Sequence, residues 1–370
     1  MEESSVINRR EMLNKLSLGT GLIALSSTAY GANLNLGQEK KLGVALVGLG
    51  NYSNLMLGPA LQETRYCKLT SIVTGTPSKA EEWAKRYNIP KKNIYNYKSF
   101  DSIIDNKDID IVYIVLPNFL HAEFTIRAAQ AGKHVICEKP MAMNEAECIA
   151  MIEACDKAKR KLSIGYRLHF EAYHNEIKRL HNERAFGSVN FIESSFGFSM
   201  ADPTTWRLDK DKGGGGAIMD LGIYVVNGIR NLLKEDPIAV TAQATTARKD
   251  LFKGIHETIT WQMEFPSRVV TNCTTTYSSY IDRLYISAEK GWMQLNPSYN
   301  AGGPKGETSN GPINFPAVKH QQILQIDDFA QCILNNSKSS VSGEEGLKDI
   351  KIISSIIRAA EIGEKVKIVL

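Results

Sequence analysis

Two clusters in this 370-residue chain combine residue types suited to moving a proton. The first is Cys137-Glu138-Lys139-Pro140, which closes the apolar run His134-Val135-Ile136-Cys137. If that run is a parallel strand, Lys139 stands at the C-terminal edge, where open α/β sheets bind ligands. An ammonium there can hydrogen-bond an alcohol and favour its deprotonation. Pro140 fixes the backbone beside it, through a trans or a cis peptide. The second cluster is Lys212-Gly213-Gly214-Gly215-Gly216-Ala217-Ile218-Met219-Asp220-Leu221-Gly222-Ile223-Tyr224. Asp220 and Tyr224 are four apart and share a helix face. The four glycines let the backbone approach a ligand. On residue type alone, Tyr224 reads equally as a core tyrosine and Asp220 as a capping partner.

A third cluster concerns anions. Gly48-Leu49-Gly50-Asn51-Tyr52-Ser53 directly follows the apolar run Leu42-Gly43-Val44-Ala45-Leu46-Val47. Glycines there permit a tight turn and close approach to a pyrophosphate, and the next helix N-terminus favours the anion. The third glycine of the usual pattern is replaced by Ser53. The second strand ends in Val73-Thr74-Gly75-Thr76-Pro77-Ser78-Lys79, with no acid before Glu81. An acid at this place would accept from the ribose 2′-hydroxyl of NAD. Thr74 leaves room instead, and Lys79 can neutralise a 2′-phosphate. That favours NADP, with NAD as the alternative; Lys79 also reads as a solvated lysine at a helix start.

These residues need a frame. Over 41–165, apolar runs at 42–47, 68–74, 110–116, 134–137 and 162–165 alternate with helical stretches at 54–64, 78–87 and 121–131. A further helix starts at Asn144, where Asn144 and Glu147 have capping-box spacing. Such alternation predicts a doubly wound, Rossmann-type parallel sheet. After Tyr166, β-branched runs at 189–198, 240–247, 258–265, 269–280 and 284–288 predict an open, mainly antiparallel sheet. Helices at 217–233, 321–334 and 344–363 back it, and a Gly/Pro-rich loop spans 301–316. The chain thus divides into a nucleotide-binding domain, 33–165, and a C-terminal substrate and oligomerisation domain of α+β type, 166–370.

Residues 1–32 read as an export signal: Arg9-Arg10, an apolar run over 16–25, then small residues, with cleavage after Ala29 or Gly31. The apolar run is shorter than the ~20 residues a spanning helix needs. No stable membrane insertion is expected after processing. The net charge of +4, from 44 basic and 40 acidic residues, is too weak and too dispersed for a nucleic-acid footprint. Six cysteines occur without a CxxC pair, so no zinc or redox motif is expected, and they read as small buried hydrophobes.

Together these marks resemble the glucose–fructose oxidoreductase/inositol dehydrogenase (Gfo/Idh/MocA) family across 42–368. They are Gly48-Leu49-Gly50, Leu116-Pro117-Asn118 with His121, Ala131-Gly132-Lys133-His134-Val135, Glu138-Lys139-Pro140, Gly165-Tyr166-Arg167 and the Asp220 helix. Gly50-Asn51-Tyr52, Asp202-Pro203 ahead of Trp206-Arg207-Leu208, and Tyr224 where many members carry His, make the chain most like the glucose–fructose oxidoreductase branch. The resemblance implies that Lys139 and Tyr224 are the catalytic pair and that Asp220 binds substrate. It implies cofactor contacts from Gly48, Leu49, Gly50, Asn51, Tyr52, Thr74, Lys79, Leu116, Asn118, His121, Glu138, Lys139, Arg167, Trp206, Arg207 and Tyr299. His121 also reads as structural.

The implied reaction takes hydride from an aldose C1 and gives the hydroxyl proton to Tyr224. A free phenol ionises near ~10, so this role calls for a nearby cation, here Lys139. An exported enzyme has no nicotinamide pool, so the cofactor is expected to stay bound and to be reoxidised by a second sugar or carbonyl. The alternatives are an NADP-dependent aldose 1-dehydrogenase with exchangeable cofactor, a non-redox sugar-binding protein and an NAD-dependent glycosidase. Expected partners are small sugars and further copies of the chain, as a homodimer or homotetramer.

Overall fold

In a computed structural model, described over residues 41–315 and 320–370, the chain forms two sheets. The expected export segment lies outside the described residues. The first sheet is wholly parallel, from β1 (Leu42–Val47), β2 (Cys67–Val73), β3 (Ile94–Tyr95), β4 (Ile111–Ile114), β5 (His134–Cys137) and β6 (Leu162–Ile164). All four residues of β4 and five of six in β1 are buried. Near-continuous apolar sequence is what a strand covered on both faces requires. The spatial order is β3-β2-β1-β4-β5-β6. It reverses between β1 and β4, which opens a crevice at the carboxyl ends of those strands.

The single helix expected over 54–64 is instead a wide π-helical turn, Ser53–Leu57, followed by α-helix Gly58–Glu63. Pro59 has no N–H to donate into a regular ladder, which locates the break. The helix Glu145–Lys157 starts as expected, with the Asn144 side chain accepting from the Glu147 N–H at 3.0 Å.

The second sheet has nine strands among the described residues. The longer ones are β7 (Val189–Gly197), β8 (Ala239–Thr245), β9 (Thr258–Glu264), β10 (Val270–Thr276) and β11 (Ile281–Ala288), and the shorter β12 (Gly291–Leu295), β13 (Gly306–Thr308), β14 (Gly311–Ile313) and β15 (Val366–Lys367). Their order is β14-β13-β12-β11-β7-β10-β9-β8-β15, with β14 and β15 at the edges. The sheet is mainly antiparallel, with one parallel pair, β7 and β10. In β9, Ile259, Trp261 and Met263 are buried and alternate with exposed Thr260, Gln262 and Glu264, the pattern of a sheet covered on one face. The loop expected over 301–316 contains the β13–β14 hairpin, whose three-residue strands are too short to show a period.

Helix Gln321–Leu334 returns to the first sheet. Asp327 accepts from the N–H groups of Arg65 and Tyr66, each at 2.9 Å. Ile326, Phe329 and Ala330 pack with Val44 and Leu46 of β1. Both sheets therefore belong to one compact unit, Lys41–Leu370. No described helix is long and apolar enough to cross a membrane.

A buried ion network joins helices Ile223–Leu233 and Gly343–Ile362. Arg230 reaches Asp349, which is fully buried, at 2.6 Å, and also Asp236 and Glu345. Removing one member of a buried pair leaves an uncompensated charge, which costs about 3–5 kcal/mol. Asp349→Ala should lower unfolding stability by about that amount, read from the midpoint of a urea titration.

Candidate active site

Lys139 follows β5 at the crevice. Its Nζ donates to the main-chain oxygen of Asp220 at 2.7 Å and to Asp220 Oδ1 at 3.3 Å. Asp220 lies in a π-helical turn, Ile218–Gly222, just ahead of helix Ile223–Leu233. Such turns interrupt the regular i→i−4 ladder and recur at functional sites. Here the wide turn leaves the Asp220 carbonyl to Lys139. The other carboxylate oxygen accepts from Arg207 Nε at 3.0 Å and from the Tyr277 hydroxyl at 2.9 Å. Burial alone would raise the Asp220 pKa; Lys139 and Arg207 overrule it and hold the carboxyl at about 2.

One helical turn on, the Tyr224 ring lies against both cations. Lys139 Nζ is 4.4 Å from the ring centroid and the Arg167 guanidinium carbon 4.9 Å. The cation at the hydroxyl is Arg167, whose Nε donates to Tyr224 Oη at 3.3 Å. Lys139, the cation expected near Tyr224, lies over the ring rather than at the hydroxyl. Lys139 is drawn to the ring face because Asp220, one turn earlier, anchors its ammonium. Arg167 is 4% exposed and is held by Gln321 Oε1, at 3.1 Å, and by the carbonyl of Tyr299.

Under Lys139, Glu138 is buried and accepts from the Tyr113 hydroxyl at 2.8 Å; Gln325 in turn donates to that hydroxyl at 3.1 Å. Burial pushes the Glu138 carboxyl up, against the pull of Tyr113 and Lys139. A Cβ on Gly165 would sit 2.7 Å from Glu138 Oε1, so the glycine of Gly165-Tyr166-Arg167 makes room for this carboxylate. Each ring nitrogen of buried His121 lies 2.8 Å from a main-chain oxygen, of Pro140 or Leu116, so His121 braces the loops on either side of the crevice. Asn118 donates to the Gly213 carbonyl at 3.0 Å and docks the glycine-rich segment on the first sheet. Protein packing by itself calls for glycine at two of these positions. A Cβ on Gly213 would sit 2.8 Å from the Arg207 oxygen, and one on Gly216 2.8 Å from the His256 oxygen.

At the nucleotide end, Gly48 and Gly50 differ. Gly48 has φ +90°, and a Cβ there would sit 2.3 Å from the Val115 oxygen. A Cβ on Gly50 would meet nothing within 4 Å. The protein needs the first glycine for its own turn; the space over the second suits a pyrophosphate. Leu49 is buried, Asn51 is exposed, and Tyr52 accepts from Gln322 at 3.3 Å. Beside Thr74 a cleft of about 540 Å³ is lined by Gly75, Tyr95, Asn96, Tyr97 and Lys98. The cleft lies at the end of β2, where a Rossmann-type domain reads the ribose. The Thr74 hydroxyl accepts from the Thr76 N–H at 3.2 Å, inside its own turn.

Lys79, Tyr299 and Leu116, all expected at the cofactor, do not line the cleft beside Thr74. Lys79 is exposed and does not line the cleft; Lys98 does, because the loop after β3 folds back beside Thr74. Tyr299 is fully buried and shares a 2.6 Å hydrogen bond with Ser194, so it supports Arg167 from the core and presents no surface to a ligand. Leu116 is 8% exposed and offers mainly its carbonyl, to His121. Trp206 and Arg207 do reach the site: Arg207 stacks on Trp206 at 4.5 Å and pairs with Asp220. Sequence reasoning missed Tyr277, Tyr113, Gln321, Tyr97 and Lys98. Each comes from an element remote in sequence, and none lies in a motif.

Comparison with known proteins follows this geometry. Residues 42–166 match the model of an oxidoreductase family with an NAD-binding Rossmann fold, and residues 174–294 match the GFO/IDH/MocA C-terminal domain. The crystal structure of aldose-aldose oxidoreductase from Caulobacter crescentus, complexed with glycerol, is 42% identical with a TM-score of 0.87, covering 89% of this chain and 100% of that one. The D-xylose 1-dehydrogenase [NADP(+)] of Haloarcula marismortui is 29% identical over 333 residues, 88% of this chain and 92% of that protein. Levoglucosan dehydrogenase, with NADH and levoglucosan, shares the fold at 23% identity and a TM-score of 0.75.

The two glycines give a separable pair of outcomes. Gly48→Ala should lower the melting temperature of cofactor-free protein, since strain and clash act on the fold itself. Gly50→Val should leave that temperature unchanged and weaken dinucleotide binding, measured by calorimetric titration.

Proposed function

The chain belongs to the GFO/IDH/MocA oxidoreductase family, and we propose that it oxidises one sugar at C1 and reduces a second sugar or carbonyl with the same retained NADP. As a member of this family it is an NAD(P)-dependent sugar oxidoreductase. The observation that carries the finer reading is the meeting of Lys139, Asp220 and Tyr224 at the sheet crevice, with Arg167 on the phenol oxygen.

A bound nicotinamide supplies the hydride acceptor. Gly48, Gly50 and the Thr74–Lys98 cleft would hold the dinucleotide. Tyr224, as the phenolate, takes the proton of the C1 hydroxyl. Arg167, donating to Tyr224 Oη, stabilises the phenolate before that transfer, and its burial strengthens that interaction. Lys139, fixed by Asp220, donates to the C1 hydroxyl of the sugar. Asp220, ionised throughout the working pH range, orients the sugar through its remaining lone pairs. In the second half, Tyr224 returns the proton to the carbonyl oxygen being reduced.

NADP is favoured by the absence of an acid at the Thr74 turn and by Lys98, which makes no ion pair among the described residues. The name of the Haloarcula relative points the same way. Two sugars are favoured by the name of the Caulobacter protein, and retention by the Arg9-Arg10 leader, read here as export of a folded, loaded enzyme to the periplasm. The open face of the second sheet suits a homodimer or homotetramer.

Freshly purified protein should carry about one nicotinamide cofactor per chain. Aldose alone should reduce it once and stop; a ketose or second aldose should restore turnover without free NADP. Cofactor-free protein that turns over only with added NADP would instead favour an aldose 1-dehydrogenase, as the name of the Haloarcula relative describes. For the cofactor end, Lys98→Ala should weaken NADP about tenfold, or ~1.4 kcal/mol, and leave NAD unchanged, as expected for a lost charge-assisted phosphate contact.

A further inference from the structure

The Arg167–Tyr224 hydrogen bond has a second bond beside it that ties the same two segments. Arg167 lies in the 3₁₀ turn Arg167–Phe170 and Tyr224 in helix Ile223–Leu233. Two residues after Arg167, His169 Nε2 lies 2.9 Å from Asn227 Oδ1, three residues after Tyr224. Tyr224 and Asn227 share a face of their helix by that spacing.

The polarity of this second bond is dictated from further away. Asp349 is fully buried and accepts 2.6 Å from Arg230 and 2.8 Å from Asn227 Nδ2. A carboxylate beside a guanidinium only accepts, so Asn227 must turn its amide nitrogen toward Asp349. Its oxygen then faces His169, whose Nε2 must carry the proton. Burial lowers the His169 pKa to about 4, so it is neutral, and its one N–H is committed to Asn227. The His169 ring is held flat by Tyr166, with centroids 6.0 Å apart and planes 24° apart. Asn175 Nδ2 donates to the His169 carbonyl at 3.1 Å.

We propose that His169 and Asn227 are positioning residues for the reaction: their hydrogen bond, oriented by Asp349 and Arg230, sets the distance between Arg167 and the oxygen of Tyr224. Neither residue touches the reacting atoms. The Arg167–Tyr224 bond is long at 3.3 Å, whereas the His169–Asn227 bond is 2.9 Å. The short bond, lying next to the long one, registers the 3₁₀ turn against the helix. Without it, Arg167 would still be tethered by Gln321 and Tyr299, and the helix by Asp349, but the short bond that registers turn and helix beside the 3.3 Å contact would be gone. The inference rests on the reading of Tyr224 as the proton acceptor.

The test compares two substitutions in the loaded enzyme. His169→Phe keeps the aromatic stack on Tyr166 and removes the donor. His169→Gln keeps a donor at similar reach. His169→Phe should cut kcat by ~10- to 10²-fold, the scale of a small misplacement at a reacting group. KM for the sugar and cofactor content should stay within about twofold of wild type under the same principle. The kinetic isotope effect with C1-deuterated aldose should rise as the chemical step becomes limiting. His169→Gln should recover most of the turnover. Wild-type kcat and isotope effect in His169→Phe would overturn the proposal. So would a His169→Gln variant as slow as His169→Phe with the same drop in melting temperature, because the fold and not the donor would then be at fault. Tyr224→Phe is measured alongside. If Tyr224→Phe is nearly inactive while His169→Phe is normal, only the present inference falls. If Tyr224→Phe is fully active, the assignment of the base falls with it.

Discussion

The ion pair between Lys139 and Asp220 is the constraint on which the site depends. It bridges the carboxyl edge of the first sheet and the helix that backs the second, at 3.3 Å between charged atoms and 2.7 Å to the Asp220 carbonyl. Lys139 and Asp220 are only 10% and 13% exposed in their side chains. A single charge at that depth would be costly, so each requires the other. Because Lys139 follows a strand of the first sheet and Asp220 lies in the turn before the helix backing the second, the pair can form only when these two layers close against each other. Closure at this point also brings Arg207, Tyr277 and Tyr224 within reach of the same few atoms. Catalytic geometry and the junction between sheets are therefore one structural event.

A second layer of polar groups surrounds that pair and is almost entirely buried. Tyr113 and Gln325 hold Glu138, Gln321 and Tyr299 hold Arg167, and His121 braces the loops that carry Leu116 and Pro140. Hydrogen-bonded partners of this kind restrain one another's orientation, although Gln322 Oε1 and Gln325 Oε1 are buried with no partner among the described residues. Helix Gln321–Leu334 is central to this layer. It delivers three glutamines under the crevice while Asp327 anchors it to the turn before β2. The restraint suits a reaction that needs a proton acceptor and a cation held in register and leaves little freedom at the site itself.

The nucleotide end is built differently. Its cleft beside Thr74 is open and lined by loop residues, with Lys98 exposed and in no ion pair among the described residues. Its charge is therefore open to a ligand rather than tied into the fold. The contrast between Gly48, which the turn itself demands, and Gly50, over which space is left open, belongs to the same division of labour.

How far the sequence reached follows from the range of the forces involved. Burial of a strand on both faces demands an unbroken apolar run, so β1, β4 and β5 were legible, and with them the parallel sheet and the position of Lys139. A helix repeats every 3.6 residues, so Asp220 and Tyr224 were legible as one face, and the cap at Asn144 was legible from a three-residue spacing. Their grouping into a known family's pattern carried the fold and the reaction class. Strands of two or three residues, such as β3, β13 and β14, have no period to read. Long-range partners carry no local signal either: Tyr113, Tyr277 and Gln321 meet Glu138, Asp220 and Arg167 from 25, 57 and 154 residues away along the chain. Which cation faces the phenol was likewise decided by tertiary structure. Lys139 and Arg167 are both basic and both near Tyr224, and only the placement of Asp220, which captures one of them, leaves the other on the hydroxyl.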